Sequence, residues 1–127
     1  MGTFVRLDRE KFVGAFIKAG FLPDTMQSGS ELVLTRQHAV DRTMWIKVYS
    51  TLPVGAGQGR DKGTDAIRTV LIFRNEQTGA SGGLYKAKRV LRTGSTEAVI
   101  ERTLERAREC YAEANRRVKL RKQNASA

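Results

Sequence analysis

The sequence has one cysteine, one histidine, one tryptophan and two prolines among its 127 residues. A lone Cys110 excludes an internal disulfide and fits a reducing cytosol. Cys110 and His38 together are too few for a zinc site or a Cys–His nucleophile within one chain. His38 falls in an expected turn, where exposure rather than catalysis is its reading. No apolar run approaches the roughly 18 residues of a transmembrane helix, and the first residues lack the basic-then-apolar order of a signal peptide. The expected location is the cytoplasm, without membrane contact. Negative charge is the other scarcity: 13 Asp+Glu face 23 Lys+Arg, for a net charge of +10. An excess of that size points to a polyanionic partner.

Glycine is not scarce. "VGAGQGRDKG", Val54 to Gly63, packs four glycines and three charges into ten positions. A phosphate-cradling loop would need the order G-K-[ST], because its lysine follows the glycine that opens the helix. The chain has Lys62-Gly63-Thr64 instead. The dinucleotide fingerprint G-x-G-x-x-G fails too, since its third glycine would fall on Arg60 or Lys62. Asp61 and Asp65 are flanked by Arg60 and Lys62 and make a poor magnesium site. The loop therefore reads as a hairpin tip, where Arg60 and Lys62 could clamp a phosphate backbone. No cofactor, metal or catalytic residue is expected.

Asp8 supplies an N-cap, and the apolar positions Phe12, Ala15, Phe16 and Ala19 keep helical spacing. Gly20 suits the left-handed position after that helix, with Phe21 folding back on Phe16. Strands are expected over 31–37, 43–52, 65–74 and 83–93, with a glycine-rich turn over 76–83. Ser95 or Thr96 then caps a long helix reaching at least Asn115, its apolar residues recurring at i, i+3 and i+4. The fold expected is α+β: an N-terminal helix, an antiparallel meander of three to four strands and a long C-terminal helix. Both helices cover one sheet face. Residues 1–115 form the domain, and 116–127 a mobile basic tail.

The alternation in "TMWIKVYST" directs attention to the other face. If Met44, Ile46 and Val48 meet the helices, Trp45, Lys47 and Tyr49 point away. Arg68 and Arg74 would join them from one neighbouring strand, and Lys86, Lys88 and Arg92 from another. Rings set among cations suit single-stranded nucleic acid, whose bases stack while its phosphates meet charge. Residues 84–122 carry 12 Lys+Arg against five Asp+Glu. Arg116, Arg117, Lys119, Arg121 and Lys122 make the end of that stretch a further phosphate-seeking element. Glu101, Glu105, Glu109 and Glu113 form an acidic i, i+4 row read as a solvated helix face.

"IKVYSTLPVGAGQGRDKGTDAIRTVLIF" and "KAKRVLRTGSTEAVIERTLERARE" resemble small uncharacterised proteins of bacteriophages and other mobile elements. The order of strands followed by a long helix is also similar to the core of the single-strand annealing recombinases. That resemblance implies single-strand binding along a basic groove, homo-oligomeric assembly and a role in phage recombination or replication. The helix, three-strand, helix order of double-stranded RNA-binding domains is similar as well. Their final helix opens on a lysine cluster, however, whereas this one opens Ser95-Thr96-Glu97-Ala98. Single strands, DNA or RNA, are therefore expected over duplex. The competing expectation is a phage-type interaction module that binds and modulates a host enzyme, with Trp45 and Tyr49 central to a dry interface.

Overall fold

A computed structural model describes residues 7–24, 32–50 and 66–126, with side chains as far as 124. The elements run α1 (Arg9–Lys18), β1 (Leu22–Pro23), β2 (Leu32–Gln37), β3 (Met44–Ser50), β4 (Ala66–Arg74), β5 (Ser81–Lys86), β6 (Val90–Leu91) and α2 (Thr96–Ser126). Every strand pairing is antiparallel, in the order β1-β2-β3-β4-β5, and β6 pairs with β4 as well. The architecture is the α+β meander expected, with more strands. Both additions are two residues long. β1 forms where the chain leaving Gly20 lays Leu22 opposite Thr35. β6 forms because the last strand breaks over residues 87–89 and rejoins β4 at Val90, opposite Ile67.

Local chemistry sets the helix ends. The Asp8 carboxylate accepts a hydrogen bond from the Lys11 amide at 3.2 Å, and Glu10 lies in the first turn. At the other end Phe21 donates its N–H to Phe16 and Gly20 donates to Ile17, the paired bonds of a Schellman motif. Gly20 has φ +92, and the Phe16 and Phe21 rings meet edge to face at 5.3 Å. The Ser95 hydroxyl caps α2 by accepting from the Ala98 amide at 3.1 Å. The two helices begin side by side. The Asp8 N–H donates to the Thr96 hydroxyl, and Lys11 pairs with Glu97 at 2.7 Å.

One sheet face receives both helices. Leu32 and Leu34 of β2, Met44, Ile46 and Val48 of β3, and Ile67 and Leu71 of β4 are buried there. They share a core with Phe12 and Phe16 of α1 and with Val99, Ala107, Cys110 and Ala114 of α2. Period-two burial on the strands meets helical spacing on α2, which is why one hydrophobic layer suffices. Gly82 belongs to this packing too: a Cβ there would lie 2.8 Å from the Phe73 ring. The expected turn is correspondingly shorter. Asn75 closes it by accepting from the Gln77 and Thr78 amides, and Gly79 has φ +75.

The basic segment 116–127 does not begin where the helix ends, because α2 continues to Ser126. Side chains from the body support the extension. Arg117 donates to the Leu84 carbonyl at 2.8 Å, Val118 packs on the core, and Arg121 pairs with Asp41. The acidic row is only partly a solvated face. Glu109 accepts from the Tyr85 hydroxyl at 2.6 Å and from Arg106, whereas Glu113 holds Arg116 and Arg117. Glu101 and Glu105 are exposed.

Candidate functional site on the open sheet face

The register carries Trp45, Lys47 and Tyr49 to the face opposite the helices. Their partners on β4 are Ile72, Val70 and Arg68, and on β2 they are Gln37, Thr35 and Val33. Lys86 of β5 stands opposite Val70 and extends the row by one strand. The face is therefore a band of alternating aromatic, aliphatic and basic side chains across four strands. Among the described residues, no helix packs on it.

Two cations lie over its rings. The Lys47 ammonium is 5.0 Å from the Tyr49 ring centroid, and the Arg74 guanidinium is 5.0 Å from that of Trp45. Such contacts hold flexible charges above flat apolar surfaces, each contributing about 0.5–2 kcal/mol according to exposure. Arg74 also approaches Asp24 at 3.6 Å, so part of its charge is balanced within the chain. Trp45, Lys47, Tyr49 and Arg68 are partly buried, and Lys86 is exposed. The indole Nε1 of Trp45 is out of contact with solvent and has no hydrogen-bond partner among the described residues. A buried, unused N–H is a cost that an acceptor on an incoming ligand would remove.

Not every expected residue joins this band. Arg92 is a correction: its side chain is fully buried at 0% exposure, because the chain leaves β5 at Lys86 and reaches Arg92 after the β6 pairing. Lys88 is exposed, but in the 87–89 connection rather than in the sheet. Arg116, Lys119, Arg121 and Lys122 are exposed along the far end of α2, with Arg116 paired to Glu113 and Arg121 to Asp41, and half-buried Arg117 is tied to Glu113 and Leu84. Arg60 and Lys62 lie outside the described residues. The aliphatic members Val33, Val70 and Ile72 were not anticipated, although the alternation of their strands contains them.

His38 is the second correction. It is 3% exposed, not an exposed turn residue. Its Nδ1 accepts from the Val40 and Asp41 amides at 3.2 and 3.0 Å, so Nε2 carries the hydrogen and donates to the Asn115 carboxamide oxygen at 2.7 Å. The ring packs on Tyr111 at 5.1 Å. All its polar capacity is spent on fastening the β2–β3 turn to α2, which leaves no role in chemistry. Cys110 is equally inert. Burial pushes its thiol up to about 12, far from the thiolate a nucleophile needs. Among the described residues no group of His, Cys, Asp and Glu could hold a metal ion. None of their helices is long and apolar enough to cross a membrane.

Comparison with protein-family models, with curated proteins and with solved structures found no match. The side chains themselves are therefore the basis for a functional reading.

Proposed function

We propose that the protein binds single-stranded nucleic acid across the open sheet face. The observation that carries the reading is the common face of Trp45, Lys47, Tyr49, Arg68 and Lys86, which neither helix covers. Rings and cations alternate there at strand spacing. A single strand could stack a base on Trp45 or Tyr49 while Lys47, Arg68 and Lys86 meet its phosphates. The net charge of +10 would draw a polyanion to the molecule, and the exposed cations of α2 would add sequence-independent affinity. No catalytic step is part of this reading.

Trp45 is the only tryptophan, so emission reports one position. Adding a single-stranded oligonucleotide should quench it, and adding duplex should quench it less, because duplex bases are already stacked. Trp45→Ala should weaken single-strand binding by about 1–3 kcal/mol, the worth of one aromatic–base stack. Unchanged emission at saturating oligonucleotide would reject the site.

Val33, Val70 and Ile72 on the same face favour one second reading, a protein partner bound through Trp45 and Tyr49. Such an interface would be drier, and its affinity would respond much less to salt.

A further inference from the structure

The helix layer is uneven: α1 has 10 residues and α2 has 31. α1 ends at Lys18 and the chain turns down through Gly20, while α2 continues alone along β4 and β3. Beyond the end of α1 a cleft of about 320 Å³ opens between α2, the chain at Ala19 and Phe21, and strands β2 and β3, on the side of the sheet away from Trp45. Its inner surface is apolar: Phe21 and Ile46 are buried core residues, and Leu104 and Ala107 come from α2. Its two charged groups are both arginines, Arg36 and Arg108.

Arg36, on β2, is the central one. Its Cζ lies 4.6 Å from the Tyr111 ring centroid, and one of its five N–H groups donates to the Ala19 carbonyl at 3.1 Å. The other four have no partner among the described residues, and no carboxylate there is within ion-pairing distance. The C-terminal dipole of α1 offsets only part of that charge. Arg108 on α2 also lines the cleft and is likewise without an acidic partner among the described residues. Asn115 completes the set. Its oxygen is committed to His38, so its amide nitrogen is the end left to donate.

A partly buried guanidinium normally has a carboxylate opposite it. Here an apolar pocket stands where the counter-charge would be, at the small end of the usual size for ligand sites. We infer that this cleft is a binding site for a small aromatic carboxylate of one or two rings. The flat body would lie against Leu104, Ala107 and Ile46. The carboxylate would take the Arg36 fork in bidentate fashion, with Arg108 at the mouth. A neutral ring would lack the charge the site is missing, and an inorganic anion would leave its apolar walls in water.

Titrating the protein with 2-naphthoate, followed by amide and methyl NMR shifts, tests this. The expected result is saturable shifts at Ala107, Tyr111, Ala112 and Gly20 at submillimolar ligand. The isosteric 2-naphthalenemethanol should bind at least tenfold more weakly. Arg36→Met keeps the aliphatic stem and should also weaken naphthoate at least tenfold; Arg108→Ala, at an exposed position, should weaken it severalfold. Equal affinity for acid and alcohol in the unaltered protein would overturn the assignment without any variant. So would shifts that never saturate or that map to the Trp45 face. Displacement of bound naphthoate by an oligonucleotide would also overturn it, by showing that the cleft belongs to a polyanion site.

Discussion

Cys110 and Trp45 show how one property, burial, decides opposite fates for two chemically capable side chains. The Cys110 thiol is enclosed between α2 and the sheet, and its ionisation is pushed up to about 12. At pH 8 the native protein should therefore react with a thiol reagent only when α2 opens, and denatured protein should react at once. Rapid modification of folded protein, followed by absorbance of the released thiolate, would contradict the packing around Ala107 and Ala114. Trp45 lies on the other side of the sheet, partly buried under Arg74. Truncating it should cost roughly 1–2 kcal/mol of stability, from lost apolar contact and one cation–π pair. A core tryptophan would cost about 3–5 kcal/mol. Chemical denaturation of Trp45→Ala separates the two, and the larger value would mean that the ring is not available to a ligand.

α2 is the element that most changes the picture drawn from sequence. Its first turns were legible because Val99, Ile100, Thr103, Leu104, Ala107, Tyr111 and Ala114 repeat at helical spacing and Ser95 or Thr96 offers a cap. After 115 only Val118 carries the period on, and the surrounding cluster of cations reads as tail. The helix is prolonged instead by contacts across the fold, Arg117 with Leu84 and Arg121 with Asp41, which no local pattern reveals. The same limit hid His38, whose partner Asn115 is 77 positions away, and placed Arg92 on the wrong side of a strand that breaks at Ala87. The sheet face was legible for the opposite reason. Strict alternation on β3 leaves only two registers, and the buried Met44, Ile46 and Val48 choose between them.

The far end of α2 yields two tests. Deleting residues 116–127 removes the Val118 contact and the Arg117 bond, and should lower stability by about 2 kcal/mol rather than leave it untouched. A truncated protein as stable as the full chain would mean that the extension is held only loosely. Glu113 gives the second. Hydrogen bonds from Arg116 and Arg117 hold its carboxyl down at about 2, against an ordinary 4.5. Its contribution is thus fully present above the unfolded value of 4.5 and is lost as pH falls through about 2. A carboxyl ¹³C titration should find Glu113 still ionised at pH 3.5. A midpoint near 4.5 would show that the arginine pairs are not maintained in solution.

At the scale of the whole molecule the question is whether charge acts through a defined face or only as a diffuse cloud. The cations fall into two groups: Lys47, Arg68, Arg74 and Lys86 on the open sheet face, and Arg116, Lys119, Arg121 and Lys122 along the end of α2. Arg74, Arg116 and Arg121 are partly balanced by Asp24, Glu113 and Asp41, so the number available to phosphates is smaller than the total. If about four to six phosphates are neutralised, log affinity for a single strand should fall against log salt with a slope of about −3 to −4. Lys47→Ala and Lys86→Ala should each flatten that slope by about one phosphate's share, roughly 0.7, and should leave folding intact because both side chains reach solvent. Trp45→Ala should behave differently, lowering affinity at every salt concentration while leaving the slope unchanged, because stacking releases no counterions. Measured together, the three variants distinguish a built face from non-specific attraction. A diffuse cloud would give equal small losses for any two lysines and none for Trp45. A flat salt response with a large Trp45 effect would instead assign the band of Val33, Val70 and Ile72 to a protein partner.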